Sequence, residues 1–157
     1  MTIALASDHT AIALKQAIME RLDARGLAYT DLGAHDPSRA DYPVYGHRAA
    51  QAVASGECER GIIMCGSGIG ISIAANKVPG IRCVVCSEPY SAVMSRNHND
   101  SNILALGARV VGIELALMIV DQWLDAPYEG GRHQRRVNQL SAIETGAEIA
   151  DQVDPGA

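Results

Sequence analysis

The amino-acid sequence predicts an α/β protein of three layers, in which helices cover both faces of a five-stranded parallel sheet. Five short apolar segments alternate with helical segments along the 157 residues. Each apolar segment is continuous in hydropathy, which is typical of strands buried on both faces of a parallel sheet. The regular alternation indicates right-handed crossover connections. We therefore expect a single domain over residues 1–150, followed by a flexible tail over residues 151–157.

Each element is predicted from the local residue pattern. The strands are expected at Thr2–Ala6, Leu27–Leu32, Gly61–Met64, Ile81–Cys86 and Ile103–Leu106. The helices are expected at Ala11–Arg25, Tyr45–Ser55, Ile69–Lys77, Pro89–Asn97, Glu114–Leu124 and Arg132–Ala147. The first helix has apolar residues at helical spacing, and the second is rich in alanine. The segment Pro127–Gly131 contains a proline and two glycines, so it separates the last two helices.

Composition and charge exclude several classes of function. Apolar residues make up 48% of the chain and charged residues 20%, as in globular proteins. The net charge of −5 argues against general binding to nucleic acids or to membrane surfaces. No apolar run reaches the roughly 18–20 residues of a membrane span. The N-terminus lacks the basic stretch of a secretory signal, so we expect a cytoplasmic protein with reduced thiols.

The four cysteines include one pair at the spacing of a redox or metal motif. Cys83 and Cys86 are separated by two residues, but they lie in a predicted strand. Residues three apart on a strand point to opposite faces of the sheet. The pattern therefore favours two core cysteines over a redox or metal site.

The most informative motif runs from the third predicted strand into a helix. Cys65 is followed by Gly66, Ser67, Gly68, Ile69 and Gly70. This loop is neither a phosphate-binding P-loop nor a dinucleotide fingerprint, and glycines alone would suit a tight turn equally well. Cys65 at the strand end favours a functional loop over a purely structural turn. Nearby backbone amides favour a thiolate and can also hold an oxyanion. A base beside such amides can remove a proton next to a carbonyl group.

Other candidate residues each have a structural alternative. Asp8 and His9 follow the first strand and reach the same edge as Cys65, unless they are a solvated surface pair. His98 ends a helix, where it is either functional or a cap. Arg132 and Arg136 are one helical turn apart and suit a phosphate, although a solvated helix face explains them too. The pattern assigns no role to the remaining histidines, which are His35, His47 and His133. It also contains no set of residues at a metal-binding spacing.

Several segments resemble the ribose-5-phosphate isomerase B family. They are Ser7-Asp8-His9, Asp41-Tyr42-Pro43, Cys65 to Lys77, Cys86 to Tyr90, His98-Asn99-Asp100, Gly107 to Gly112 and Tyr128 to His133. They occur in the family's order to about Glu144, so the resemblance covers nearly the whole chain. It implies a Rossmann-like α/β/α fold and a homodimer or dimer of dimers with active sites between subunits. It also implies interconversion of ribose 5-phosphate and ribulose 5-phosphate without a metal or organic cofactor.

The resemblance further assigns chemical roles to individual residues. Cys65 would be the base that moves a proton between C2 and C1 through an enediolate. Asp8 and His98 would assist opening of the sugar ring, and Ser67 would relay a proton between the sugar oxygens. The expected substrate-binding residues are His9, Tyr42, Gly66, Gly68, Gly70, Asn99, Arg109, Arg132 and Arg136. Among these, the glycine amides would hold the enediolate and the arginines would bind the phosphate.

Three alternative functions remain open from the sequence. Relatives on the same scaffold isomerise allose 6-phosphate, galactose 6-phosphate or four-carbon sugar phosphates. A non-catalytic flavodoxin-like module would explain the fold and the glycine loop, but it leaves Cys65, Asp8 and His98 without a function. A thiol redox protein would need a resolving cysteine, and Cys58 lies at the far end of the same strand.

Overall fold

The computed structural model describes residues 1–150 as one five-stranded sheet with six helices. The strands are β1 (Thr2–Ser7), β2 (Ala28–Asp31), β3 (Arg60–Cys65), β4 (Cys83–Val85) and β5 (Ile103–Gly107). The helices are α1 (Ile12–Ala24), α2 (Tyr42–Ala54), α3 (Ile69–Ala75), α4 (Pro89–Asn99), α5 (Ile113–Asp125) and α6 (Arg132–Glu144). The predicted fold class is confirmed. The predicted tail, residues 151–157, lies outside the described residues.

The strand order brings the first and third strands together at the centre of the sheet. The order is β2-β1-β3-β5-β4, and every pair is parallel. Ser7 at the end of β1 is in register with Met64, and Cys65 is in register with Gly107 on β5. The carboxyl ends of β1, β3 and β5 therefore meet at one point of the sheet edge. Ligands of open α/β sheets bind at such an edge.

Two apolar clusters hold the layers together, one on each face. The cluster under α1, α4 and α5 uses large side chains and includes Trp123, which is fully buried. The cluster under α2 and α3 is rich in alanine. Small residues let these two helices approach closely, since a Cβ atom added at Gly46 would lie 2.7 Å from the carbonyl oxygen of Ile71. This close packing holds α3, and with it the loop after Cys65, against the sheet.

The edge strands differ from the expectation of burial on both faces. β1, β3 and β5 are almost wholly buried, whereas every residue of β2 is partly or fully exposed. On β4, Val85 is 42% exposed. Helices cover the central strands from both sides, but the outer strands have neighbours on one side only. Hydropathy of a short segment does not reveal which strands occupy the edges.

One helix begins earlier than the sequence pattern indicated. The structure starts α2 at Tyr42, three residues before the predicted Tyr45. Pro43 lies in the first turn, where its missing N–H breaks no helical hydrogen bond. This extension places Tyr42 beside the loop that follows Cys65.

The two cysteines of the CxxC spacing lie on opposite sides of the sheet. Cys83 packs in the alanine-rich cluster and Cys86 in the other cluster, which agrees with the prediction of two core cysteines on opposite faces. The predicted strand was too long, since β4 ends at Val85 and Cys86 follows it. Burial raises the pKa of the Cys86 thiol to about 11, and it raises the pKa of Cys83 still further. All four cysteines are free thiols. Neither buried thiol is placed for redox chemistry with the other.

The lengths and hydropathy of the helices also bear on membrane association. Among residues 1–150, no helix is both long enough and apolar enough to span a bilayer.

Candidate active site

An open cavity of about 590 Å³ lies at the carboxyl edge of the sheet, where β1, β3 and β5 end. Its walls come from the loops after these strands and from the first turns of α2 and α3. The lining residues are Asp8, Thr10, Tyr42, Cys65, Gly66, Ser67, Ile69, Gly70, Arg109 and Val110. Its size suits a small-molecule ligand.

The loop after Cys65 is held against the loop that follows β5. The amide of Ala108 donates to the carbonyl oxygen of Cys65 at 2.9 Å, and the amide of Arg109 donates to that of Gly66 at 3.0 Å. A Cβ atom added at Gly107 would lie only 2.6 Å from the carbonyl oxygen of Ser67. The two loops are therefore in backbone contact, which fixes the position of the residues that follow Cys65.

Gly68 presents its backbone amide to the thiol. Its φ of +78° is in the left-handed region, and this conformation turns its N–H toward Cys65. That amide donates to Cys65 Sγ at 3.2 Å. Cys65 is only 4% exposed, so this amide contact and the cavity are what its sulfur meets at the strand end. The thiol at the strand end is thus equipped to accept a proton from a molecule in the cavity.

Asp8 provides a second group for proton transfer in the same cavity. Its side chain is buried, and one carboxylate oxygen, Oδ1, accepts two hydrogen bonds from Thr10. The donors are the backbone amide of Thr10 at 2.9 Å and its hydroxyl at 2.6 Å. The amide of Asp8 donates to the carbonyl oxygen of Met64, which ties this loop to β3. The carboxylate and the thiol therefore belong to one rigid edge of the sheet.

Three further predicted residues border the cavity. Ser67 is exposed, and its hydroxyl accepts a hydrogen bond from the amide of Ile69 at 3.3 Å. Tyr42 lies directly against Gly70, because a Cβ atom added there would meet the phenol ring at 2.6 Å. Arg109 is exposed and lies beside Gly66. A hydroxyl, a phenol and a guanidinium are thus available to bind a polar ligand.

His9 is adjacent to Asp8 but does not line the cavity. Its Nδ1 lies 3.1 Å from the amide nitrogen of Ala40 and 3.3 Å from the carbonyl oxygen of the same residue. The loop before α2 thus engages Nδ1 of His9 and leaves Nε2 for other contacts.

The other predicted site residues lie at the opposite edge of the sheet. His98 and Asn99 end α4, and Arg132 and Arg136 begin α6, which packs against α4. Just after α4, the carbonyl oxygen of Asn102 accepts from the amide of Gly61, four residues before Cys65 on β3. At about 3.3 Å per residue, this places the end of α4 roughly 13 Å from Cys65 along the sheet. One chain therefore does not bring the two sets of residues together.

The end of α4 carries a cluster of its own. The ring of His98 stacks on that of His133 with a centroid separation of 4.2 Å. Glu129 Oε2 lies 3.4 Å from His133 Nε2 and 3.9 Å from His98 Nε2. Burial lowers the pKa of His133, and the nearby His98 and Arg132 lower it further. The lowered pKa favours the neutral form of His133, whose buried ring stacks on the more exposed ring of His98.

This cluster offers three potential metal ligands but is poorly suited to a cation. The ligand atoms of His98, Glu129 and His133 lie within 4.8 Å of one another. However, Arg132 Nε donates to His133 Nε2 at 3.4 Å, so a positive charge already occupies the position that a metal would need. His133 Nδ1 is buried without a hydrogen-bond partner and so lacks the outer-shell support of typical metal-binding histidines. The positive charges here suit an anion better than a metal.

Comparisons with known proteins identify the family. Residues 3–140 match the family described as Ribose/Galactose Isomerase. The chain belongs to this family. It is 58% identical to ribose-5-phosphate isomerase B of Escherichia coli over 142 residues, 90% of this chain and 95% of that one. It is 42% identical to D-erythrulose-4-phosphate isomerase of Pectobacterium atrosepticum, covering 92% of this chain and 95% of the relative. The solved structure of Clostridium thermocellum ribose-5-phosphate isomerase B superimposes with a TM-score of 0.92 at 55% identity, covering 93% of this chain and 99% of that one.

The predicted family and the predicted enzyme class, a sugar-phosphate isomerase, are confirmed by these comparisons. In this member of the family, the residues brought together by the fold are those after β1, β3 and β5. Sequence patterns did not single out Thr10, whose spacing two residues after Asp8 is a local signal for such a hydrogen bond. Sequence patterns also did not reveal the residues that contact His98. These are Glu129 and His133, which come from a segment some thirty residues away.

Proposed function

We propose that this isomerase interconverts D-ribose 5-phosphate and D-ribulose 5-phosphate through an enediolate, with Cys65 as the base. The observation that carries the proposal is the Cys65 thiol at the end of β3, which faces a cavity and accepts a hydrogen bond from Gly68. The similarity to relatives named for ribose 5-phosphate supports the choice of substrate. The base must be a free thiol, as Cys65 is, so we also propose a location in the cytoplasm, where thiols stay reduced.

The first step of the proposed reaction opens the furanose ring. Asp8 takes the proton from the hydroxyl on C1, the bond between C1 and the ring oxygen breaks, and the ring oxygen receives a proton from His98. The product is the open-chain aldehyde with a hydroxyl on C4. Asp8 suits the role of base because Thr10 occupies only one of its two carboxylate oxygens.

The second step moves a proton between two carbon atoms. The Cys65 thiolate removes the proton from C2, and the electron pair moves to the C1 oxygen to form the enediolate. Backbone amides of Gly66 and Gly70, which line the cavity, would stabilise the negative charge as donors in an oxyanion hole do. Gly68, predicted to bind the substrate as well, does not line the cavity, and its amide donates to Cys65 Sγ instead. Ser67, exposed at the cavity, relays a proton between the two sugar oxygens. Cys65 then returns its proton to C1 to give ribulose 5-phosphate.

The position of His98 supports an active site shared between two copies of the chain. His98 lies roughly 13 Å along the sheet from Cys65, too far to act on the same sugar from within one subunit. A homodimer, or a dimer of such dimers, would bring His98 of the partner subunit to the cavity. Exposed apolar side chains beside the cavity favour such an interface, notably Val44, Ile69 and Ile73.

The same assembly would complete the phosphate site. Arg132 and Arg136 lie on α6 and are exposed, so they are free to bind a phosphate across the interface. Arg109 lines the cavity, and His9, next to Asp8, would contribute Nε2 from the same loop. Together these groups account for a cluster of positive charge in a chain whose net charge is −5. Asn99, next to His98, would bind the sugar hydroxyls.

The relative that isomerises D-erythrulose 4-phosphate makes a four-carbon sugar phosphate the second candidate substrate. Four-, five- and six-carbon aldose phosphates should therefore be assayed side by side for ketose formation. The proposal requires the highest kcat/KM with ribose 5-phosphate. A preference for a four-carbon substrate would replace it, and activity with none of these sugars would exclude catalysis of this type.

A complementation experiment tests both the base and the shared site. Cys65→Ala and His98→Asn should each lose most of the activity when produced alone. Co-expressed in equal amounts, they should regain about a quarter of the wild-type activity, because one site of each mixed dimer is intact. Wild-type turnover by Cys65→Ala would refute its role as base. Absence of any recovery in the mixture would refute the shared site.

A further inference from the structure

Thr10 is the one polar side chain of the cavity to which neither the sequence nor the family resemblance assigns a function. It lies in the loop between β1 and α1 and lines the cavity with Asp8 and Cys65. Its hydroxyl donates to Asp8 Oδ1 at 2.6 Å. This is a short hydrogen bond between a hydroxyl and a carboxylate oxygen.

The contact restricts how Asp8 presents its carboxylate. Both donors from Thr10, the amide and the hydroxyl, converge on Oδ1. The other oxygen, Oδ2, accepts no hydrogen bond from residues 1–150 and so remains for a molecule in the cavity. The backbone amide alone would leave the carboxylate free to rotate about that single contact. The hydroxyl adds the second contact that fixes its plane.

We propose that Thr10 is a positioning residue for opening of the sugar ring, acting through Asp8. The inference rests on the proposed function and adds to it a residue and a step. Thr10 holds Oδ1 so that Oδ2 faces the hydroxyl on C1 of the closed ring. Oδ2 accepts that proton as the bond between C1 and the ring oxygen breaks, and the ring oxygen is protonated by His98. Thr10 itself neither gains nor loses a proton.

Two variants separate the hydroxyl from the shape of the side chain. Thr10→Val has nearly the same volume but no donor, and Thr10→Ser keeps the donor without the methyl group. With ribose 5-phosphate, Thr10→Val should lose about tenfold in kcat/KM, the effect of one hydrogen bond to a charged group. Thr10→Ser should retain activity within about twofold of wild type. Thr145→Val is the matched control, because its hydroxyl donates to Ala142 at the end of α6, outside the cavity.

A second measurement separates ring opening from proton transfer. Ribulose 5-phosphate cannot close a five-membered ring, because its 5-hydroxyl is phosphorylated. Exchange of its C1 hydrogen with D2O therefore requires the enediolate but no ring chemistry, and ¹H NMR follows it directly. Thr10→Val should show exchange within about twofold of wild type while its turnover of ribose 5-phosphate falls. A general structural defect would lower both rates together.

The outcomes are distinguishable. Unchanged turnover by Thr10→Val would overturn the inference, and so would failure of Thr10→Ser to restore it. Equal loss of turnover and exchange in Thr10→Val would overturn it as well, since the hydroxyl would then support the whole site. If wild-type exchange is too slow to measure, the comparison of the valine and serine variants decides alone. Failure of the wild-type protein to convert ribose 5-phosphate would instead overturn the proposed function, and the role of Thr10 with it.

Discussion

The turn at Gly68 should be the most sensitive point of the candidate site to a single added methyl group. Gly68 has a φ of +78°, which an L-residue rarely adopts. A Cβ atom there would lie 2.9 Å from the carbonyl carbon of Leu106 and 3.0 Å from the amide nitrogen of Gly107. Both neighbours are backbone atoms of the central strand β5, so neither moves easily. Gly68→Ala therefore combines an unfavourable backbone conformation with a steric clash.

The expected loss of stability follows from these two contributions. The left-handed conformation costs about 1–2 kcal/mol for a residue with a Cβ atom. Overpacking against rigid neighbours costs about 1–3 kcal/mol more. Alanine also restricts the unfolded chain, which offsets about 0.4–1 kcal/mol. We expect Gly68→Ala to lower the free energy of unfolding by about 1–4.6 kcal/mol, which corresponds to a decrease in Tm of roughly 3–15 °C.

Gly66→Ala provides a matched control in the same loop. A Cβ atom at Gly66 would meet Thr10 and Arg109 at ordinary contact distances of 3.5–3.9 Å. Its stability should stay within about 0.5 kcal/mol of wild type. Thermal and urea unfolding, followed by circular dichroism at one protein concentration, measure both variants. A common concentration is needed because assembly into dimers would itself stabilise the fold.

Gly68→Ala should also impair catalysis. The amide of Gly68 donates to Cys65 Sγ, and movement of the turn away from β5 lengthens that contact. A Tm of Gly68→Ala within about 2 °C of wild type would refute the reasoning, because neither contribution could then have its assigned size. Equal destabilisation by Gly66→Ala would refute it too, since the loss would not depend on the left-handed turn.

Two further predictions concern titratable groups. Iodoacetamide should modify Cys65 before Cys86, because Cys65 faces the cavity while burial raises the pKa of Cys86 to about 11. Peptide mass spectrometry after brief labelling measures the order. Burial lowers the pKa of His133, so the folded state binds fewer protons than the unfolded state. Stability should therefore fall as the pH drops through about 6.5, and His133→Asn should weaken that dependence in urea unfolding at several pH values.

Each of these predictions has a clear contrary result. Labelling of Cys86 before Cys65 would show that cavity access does not control thiol reactivity. For the histidine, His35→Asn is the control, because its side chain is 70% exposed. An unchanged pH dependence in His133→Asn, or an equal change in His35→Asn, would contradict the assignment to the buried ring.

Much of the candidate site was predictable because its residues follow strands. Asp8 and Cys65 are local features of two strand ends, and parallel strands place their carboxyl ends at one edge. Most element boundaries agree with the pattern to within one or two residues, but three elements differ more in extent. α2 begins three residues early at Tyr42, β4 is only Cys83–Val85 instead of Ile81–Cys86, and α6 ends at Glu144 instead of Ala147. The amide that contacts the thiol was less predictable. Among the residues after Cys65, the structure shows that Gly68 donates to Sγ, and the helix that follows, α3, has only seven residues.

The fold class, the order of elements and the family were predictable from the chain alone, because they depend on hydropathy and on short motifs. Three features emerged only from the folded chain: which strands lie at the edges, the contact of Thr10 with Asp8, and the stacking of His98 on His133 far from Cys65. Such contacts depend on strand order and helix packing. These join residues distant in the chain, and no local periodicity encodes them.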